Sequence, residues 1–138
     1  FSVIQSLDSL ELAAELDRRC VARRVSLDVL LQVNVSGEST KYGLAPDAVA
    51  GMLREMPKFE RLRVRGLMTM APYSEDPEDA RVWFRALRRL ARELSALRLS
   101  NVTMDELSMG MSGDYQVAVE EGSTIVRVGT AIFGPRVP

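Results

Sequence analysis

The sequence predicts an α/β fold on a parallel sheet, in the outline of an incomplete barrel. Three observations point there. Short apolar, β-rich runs alternate with amphipathic helical stretches, the order expected of βαβ units with right-handed crossovers. The runs are apolar on both sides, as in Val29-Leu-Leu-Gln-Val-Asn-Val35, which suits a sheet covered by helices. The last two runs end in turns rich in Gly, Ser or Thr, where parallel barrels often build a phosphate site. Five such runs fall short of the eight strands of a closed barrel, and an open sheet would leave two unpaired edges. The sequence also starts at Phe1, without an initiator Met, directly on a strand. The expectation is therefore one domain, residues 1–138, forming part of a barrel that has lost its amino-terminal strands.

In chain order, the first expected strand is Ser2–Gln5, followed by a helix that starts near Asp8, with Glu11 as its capping-box partner, and runs toward Arg23. The second strand is Val29–Val35. A helix follows from Pro46, which suits a first helical turn, and stops before Pro57. The third strand is Val64–Met70. The third helix has Asp76 as cap, Pro77 in the first turn, and Glu78 and Asp79 at its positive end. Its apolar face reads Ala80, Trp83, Phe84, Leu87, Leu90, Ala91, Leu94 and Leu97, a helical spacing. Arg81, Arg85, Arg88, Arg89, Arg92 and Arg98 run along the same stretch and read as its solvated face rather than a phosphate patch. The fourth strand is Glu106–Met109, a short helix over about Asp114–Glu121 is closed by Gly122, and the last strand is Thr124–Phe133.

Composition narrows the function classes. With 46% hydrophobic and 27% charged residues, the chain can build one ordinary core. No apolar run approaches membrane-span length, and the first residues lack the features of a secretory signal, so neither a membrane nor export is indicated and the cytoplasm is the expected location. A net charge of −1 gives no basic field to draw nucleic acid. The single cysteine, Cys20, cannot form an internal disulfide; without any histidine, a zinc site has almost no ligands and His-based acid–base chemistry is excluded.

The candidate chemistry lies at the strand ends. Ser112 and Gly113 end the fourth strand and open the short helix, while Gly129 and Thr130 follow in the fifth. Backbone N–H groups and hydroxyls at two such neighbouring turns would make an anion cradle. Arg127 stands in an otherwise apolar strand, where a permanent cation needs a partner. Two partners remain open: a structural carboxylate such as Glu106, or a ligand in the barrel mouth. After the second strand, Asn34-Val-Ser-Gly-Glu-Ser-Thr-Lys-Tyr-Gly43 forms a polar loop with Lys41, a ligand contact or a solvated side chain. Met68, Met70, Met109 and Met111 sit at strand ends, with packing the default role and the lining of a flat ligand the alternative for one of them.

Four stretches together resemble the pyridoxal-phosphate homeostasis protein family, relatives of the amino-terminal barrel of alanine racemase: Val33-Asn-Val-Ser-Gly-Glu-Ser-Thr-Lys-Tyr-Gly-Leu44, Arg65-Gly-Leu-Met-Thr-Met70, Leu107-Ser-Met-Gly-Met-Ser-Gly-Asp114 and Val126-Arg-Val-Gly-Thr-Ala-Ile-Phe-Gly134. They occur in the family's order and spacing. The resemblance implies a (β/α)8 barrel of the type III pyridoxal-phosphate class, here its last five strands, with Ser112, Gly129 and Thr130 on the cofactor phosphate and Arg127 facing the pyridine nitrogen. Asn34 and Lys41 match positions near the ring. The family's covalent lysine lies on its first strand, and the segments resembling its first three strands are absent, so no catalytic residue is assigned and binding is expected to be non-covalent at most.

The role that the resemblance implies is intracellular buffering or delivery of pyridoxal 5′-phosphate, affecting amino-acid and keto-acid balance, with no catalytic turnover and with cofactor-dependent apo-enzymes as recipients. A whole barrel is expected to be monomeric, and this chain's open edges would let it self-associate. Two alternatives are an amino-acid racemase using the same cofactor, and an interaction module that pairs through those edges.

Overall fold

The computed structural model describes residues 3–37, 43–72 and 74–127. Five strands, β1 (Val3–Leu7), β2 (Leu27–Gln32), β3 (Leu62–Met68), β4 (Val102–Met111) and β5 (Ile125–Arg127), form one parallel sheet in the order β1-β2-β3-β4-β5. Four helices lie in the crossovers: α1 (Leu10–Arg23), α2 (Val49–Glu55), α3 (Arg81–Ser95) and α4 (Tyr115–Glu120). Consecutive strands pair throughout, the winding of a barrel wall.

Polar side chains within the strands shift their bounds from the expected ones. Both β2 and β3 begin two residues early: Asp28 and Arg63 are ladder partners, and their side chains meet at 2.8 Å. Charges that resemble a strand boundary are cross-strand pairs on the face away from the helices. β4 likewise starts at Val102, with Asp105 and Arg65 of β3 at 3.7 Å. Of the expected strand Thr124–Phe133, Ile125–Arg127 is a strand and residues 128–133 lie outside the described residues.

One face of the sheet supplies Leu7, Val29, Leu31, Val33, Leu62, Val64, Leu67, Leu107 and Met109 to a core shared with Ala13, Leu53, Phe84, Leu87, Leu94 and Ala118 of the helices. The other face is concave. Gln5 of β1 accepts a 2.6 Å hydrogen bond from the Ser108 hydroxyl of β4, although two strands separate them in the sheet. In a flat sheet those strands would be about 14 Å apart, so the side chains meet only because the sheet curls. The curled, parallel five-strand sheet makes the fold an incomplete α/β barrel, as the sequence predicts. Gly66 marks how tightly β3 and β4 approach: a Cβ there would lie 1.7 Å from the Glu106 carbonyl oxygen.

The helix signals are largely met. Asp76 accepts from the Glu78 N–H at 3.0 Å, and Pro77 opens a 3-10 turn that leads into α3. α2 ends at Glu55, ahead of Pro57, with one 3-10 turn continuing to Lys58. Gly122, at φ 103°, closes the α4 turn. The cap of α1 is Ser9 rather than Asp8: its hydroxyl accepts from the Leu12 N–H at 3.1 Å, which leaves Glu11 one position short of a capping box.

The arginine series is not a uniform solvated face. Arg98 lies beyond the end of α3, in the left-handed region at φ 51°. Arg81 contacts Glu78 at 2.7 Å, Glu120 at 2.6 Å and Glu121 at 2.6 Å, while Arg85 reaches Glu121 at 2.9 Å. Two arginines thus tie α3 to the carboxyl end of α4.

Candidate functional site

Parallel strands deliver their carboxyl ends to one rim, and that rim gathers the described candidates. Asn34 lies two residues past β2, Thr69 and Met70 follow β3, Ser112 follows β4, and Arg127 is the last described residue of β5. Arg127 is the register partner of Met111, so Ser112 stands at the adjacent strand end. Lys41, Gly129 and Thr130 lie outside the described residues.

Arg127 is the cation among the described candidates of the rim. One terminal nitrogen, Nη2, donates to the Thr69 carbonyl oxygen at 3.1 Å. Its Nε is buried without a hydrogen-bond partner among the described residues. Burial pulls its pKa below the ordinary arginine value, against an opposing pull from the Asp114 carboxylate; the guanidinium remains a cation at any working pH. The Glu106 pairing considered above does not form. Glu106 accepts from the Thr124 hydroxyl at 2.7 Å, and among the described residues no carboxylate makes an ion pair with Arg127.

The turn after β4 is held by its own ends. The Asp114 carboxylate accepts from the Met111 N–H at 2.7 Å, and the Asp114 N–H donates to the Met111 carbonyl at 3.1 Å. This loop presents Ser112 half-buried and Gly113 exposed. A Cβ at Gly113 would meet no described atom within 4 Å, so the turn is open on that side. α4 seats behind this turn because Gly110, at φ 102°, leaves room for it: a Cβ there would come within 2.6 Å of the Ala118 Cβ. Across the rim, the Asn34 amide oxygen accepts from the Ser36 hydroxyl at 3.3 Å, and the Asn34 N–H donates to Leu44 at 2.8 Å.

Thr69 is the rim residue that sequence reasoning passes over. It is fully buried; its hydroxyl donates to the Val33 carbonyl at 2.7 Å and its N–H to the Ser108 carbonyl at 3.0 Å. The available signal is one hydroxyl in the apolar run Leu67-Met-Thr-Met70.

A cation with an N–H that no described residue satisfies, near an open glycine turn at the ends of parallel strands, could receive an anionic group. Comparison with known proteins gives this geometry a lineage. The profile described as alanine racemase, N-terminal domain, matches residues 2–137. The chain belongs to that family. Within it, the chain is 47% identical over 134 residues to the pyridoxal phosphate homeostasis protein of Aquifex aeolicus, covering 97% of this chain and 58% of that one. The protein of the same name in Pseudomonas aeruginosa is 39% identical over 136 residues, covering 99% and 56%. These relatives carry the family name that the four sequence stretches resemble. The chain thus spans just over half the length of the curated relatives it matches.

Solved structures agree. PipY of Synechococcus elongatus PCC7942 without PLP superposes with a TM-score of 0.88 at 36% identity, covering 97% of this family member and 62% of PipY. PipY with PLP bound gives 0.85 at 34%, covering 97% and 61%. An alanine racemase of Clostridium difficile 630 shares the fold at 16% identity, with a TM-score of 0.76 over 99% of this chain and 35% of the racemase. Among the described residues no helix is long and apolar enough to cross a membrane, and no three or more Cys, Asp or Glu side chains are grouped to hold a metal ion.

Proposed function

We propose that this chain carries the anchoring half of a pyridoxal 5′-phosphate site and serves the cofactor's intracellular homeostasis, by buffering or delivery to apo-enzymes. The observation that carries the reading is the buried Arg127 Nε at the rim, without a partner among the described residues, in a family whose homeostasis members match 97% of this chain. On this reading Ser112, with Gly129 and Thr130, holds the phosphate, Arg127 faces the pyridine nitrogen, and Asn34 and Lys41 lie near the ring. When bound, the cofactor supplies an aldehyde and an electron-withdrawing pyridine ring. Arg127 limits the second property, because a fixed cation beside the ring nitrogen disfavours a proton there. The chain is read as having no turnover of its own. Its single domain is read as the last five βα units of the family's barrel, acting in the cytoplasm, away from membranes and nucleic acid.

The test is titration of the chain with pyridoxal phosphate and with pyridoxal, followed by borohydride reduction and peptide mapping. Saturable binding of the phosphorylated form, with no stoichiometric label on the chain, is the expected result. Stoichiometric label on Lys41 would assign a covalent site instead. Solvent-deuterium exchange at the α-carbon of L-alanine tests the non-catalytic reading; rapid exchange would overturn it.

A further inference from the structure

We infer that Thr69 is a positioning residue for Arg127, setting the direction in which the guanidinium points at a ligand on the rim. The inference rests on the function proposed above only for the identity of that ligand. Arg127 has one described hydrogen-bond acceptor, the Thr69 main-chain carbonyl. That carbonyl lies one residue past the end of β3, where no further ladder pair with β4 follows Met68–Ser108. Two bonds from opposite sides fix it instead. The Thr69 hydroxyl reaches the Val33 carbonyl of the β2 end, and the Thr69 N–H reaches the Ser108 carbonyl of β4. The acceptor for a β5 side chain is thereby clamped between β2 and β4, and one strand end is carried over to another two strands away.

The direction matters because the guanidinium is planar. Once Nη2 is committed to a fixed carbonyl, the remaining N–H groups have few orientations left. Removing the Thr69 hydroxyl keeps the carbonyl but releases its position, and strands the buried Val33 oxygen. A preorganised donor loses affinity when its support loosens, as metal ligands do when their outer partners are removed.

Three forms of the full chain separate this role from simple stabilisation: Thr69→Val, which keeps the shape without the hydroxyl, Thr69→Ser, which keeps the hydroxyl, and Arg127→Ala. Thr69→Val is expected to weaken pyridoxal phosphate binding about tenfold, with Thr69→Ser within about twofold of wild type. In the Arg127→Ala background, Thr69→Val should cause no further loss, because its effect passes through the guanidinium. Equal losses in both backgrounds, or wild-type binding by a folded Thr69→Val, would overturn the proposal. Side-chain nitrogen NMR of Arg127 gives a reading independent of the cofactor. Wild type should show restricted rotation of the guanidinium, released in Thr69→Val and restored in Thr69→Ser. A freely rotating wild-type guanidinium overturns the proposal even if Thr69→Val does not fold. Failure of the wild type to bind pyridoxal phosphate would instead sink the proposed function, and the NMR measurement would still decide the role of Thr69.

Discussion

At position 66 the chain has no room for a methyl group. A Cβ there would sit 1.7 Å from the Glu106 carbonyl oxygen and 2.6 Å from its carbon, both backbone atoms that cannot turn aside. Gly66→Ala must push β3 from β4 in the middle of the sheet, and a loss of about 3 kcal/mol or more is expected in urea unfolding at equilibrium. Unchanged stability would show that the two strands are not so closely apposed. Residues differ in how openly the sequence shows their roles. Arg127 stands out because a permanent charge within an apolar strand needs a reason. Thr69 does not, because threonine is an ordinary strand residue and its partners, Val33 and Ser108, lie 36 and 39 positions away.

Among the elements, α4 depends most on a neighbour. It has six residues, too few to be stable alone, and its carboxyl end carries Glu120 and Glu121, where the helix dipole disfavours anions. Arg81 and Arg85 reverse that penalty, and together they hold Glu121 below the usual carboxylate pKa range, Arg85 foremost. Because the folded value is depressed, the contribution is present above the ordinary glutamate range and is lost as pH falls through the lower folded value. Hydrogen exchange should therefore show α4 losing protection on acidification, corrected for intrinsic rates, before the α3 core does. Glu121→Gln should expose α4 already at neutral pH; equal protection of α4 in wild type and variant would contradict the clamp. The helix periods of α3 and α4 are legible in the sequence. The link between them is not, because i, i+4 spacing describes one helix surface and says nothing of which helix lies beside it.

For the molecule as a whole, alternation of strand and helix was enough to predict the parallel α/β architecture, because apolar periodicity and turn residues act locally. The barrel outline is legible too, but the contacts that curl the sheet are not: Gln5 meets Ser108 across 103 positions of sequence. β1 and β5 each pair with one described neighbour and leave an edge. On its own the 138-residue chain should therefore sediment with a concentration-dependent coefficient, whereas a constant monomer value would show that its edges are protected. The central claim is narrower, that Arg127 anchors a cofactor ring on this rim. It is tested most directly by absorbance titration of wild type and Arg127→Ala with pyridoxal phosphate. Loss of a charged, partly buried donor should weaken saturable binding by about tenfold or more with the fold unchanged by circular dichroism. Equal affinity in the two proteins would contradict it.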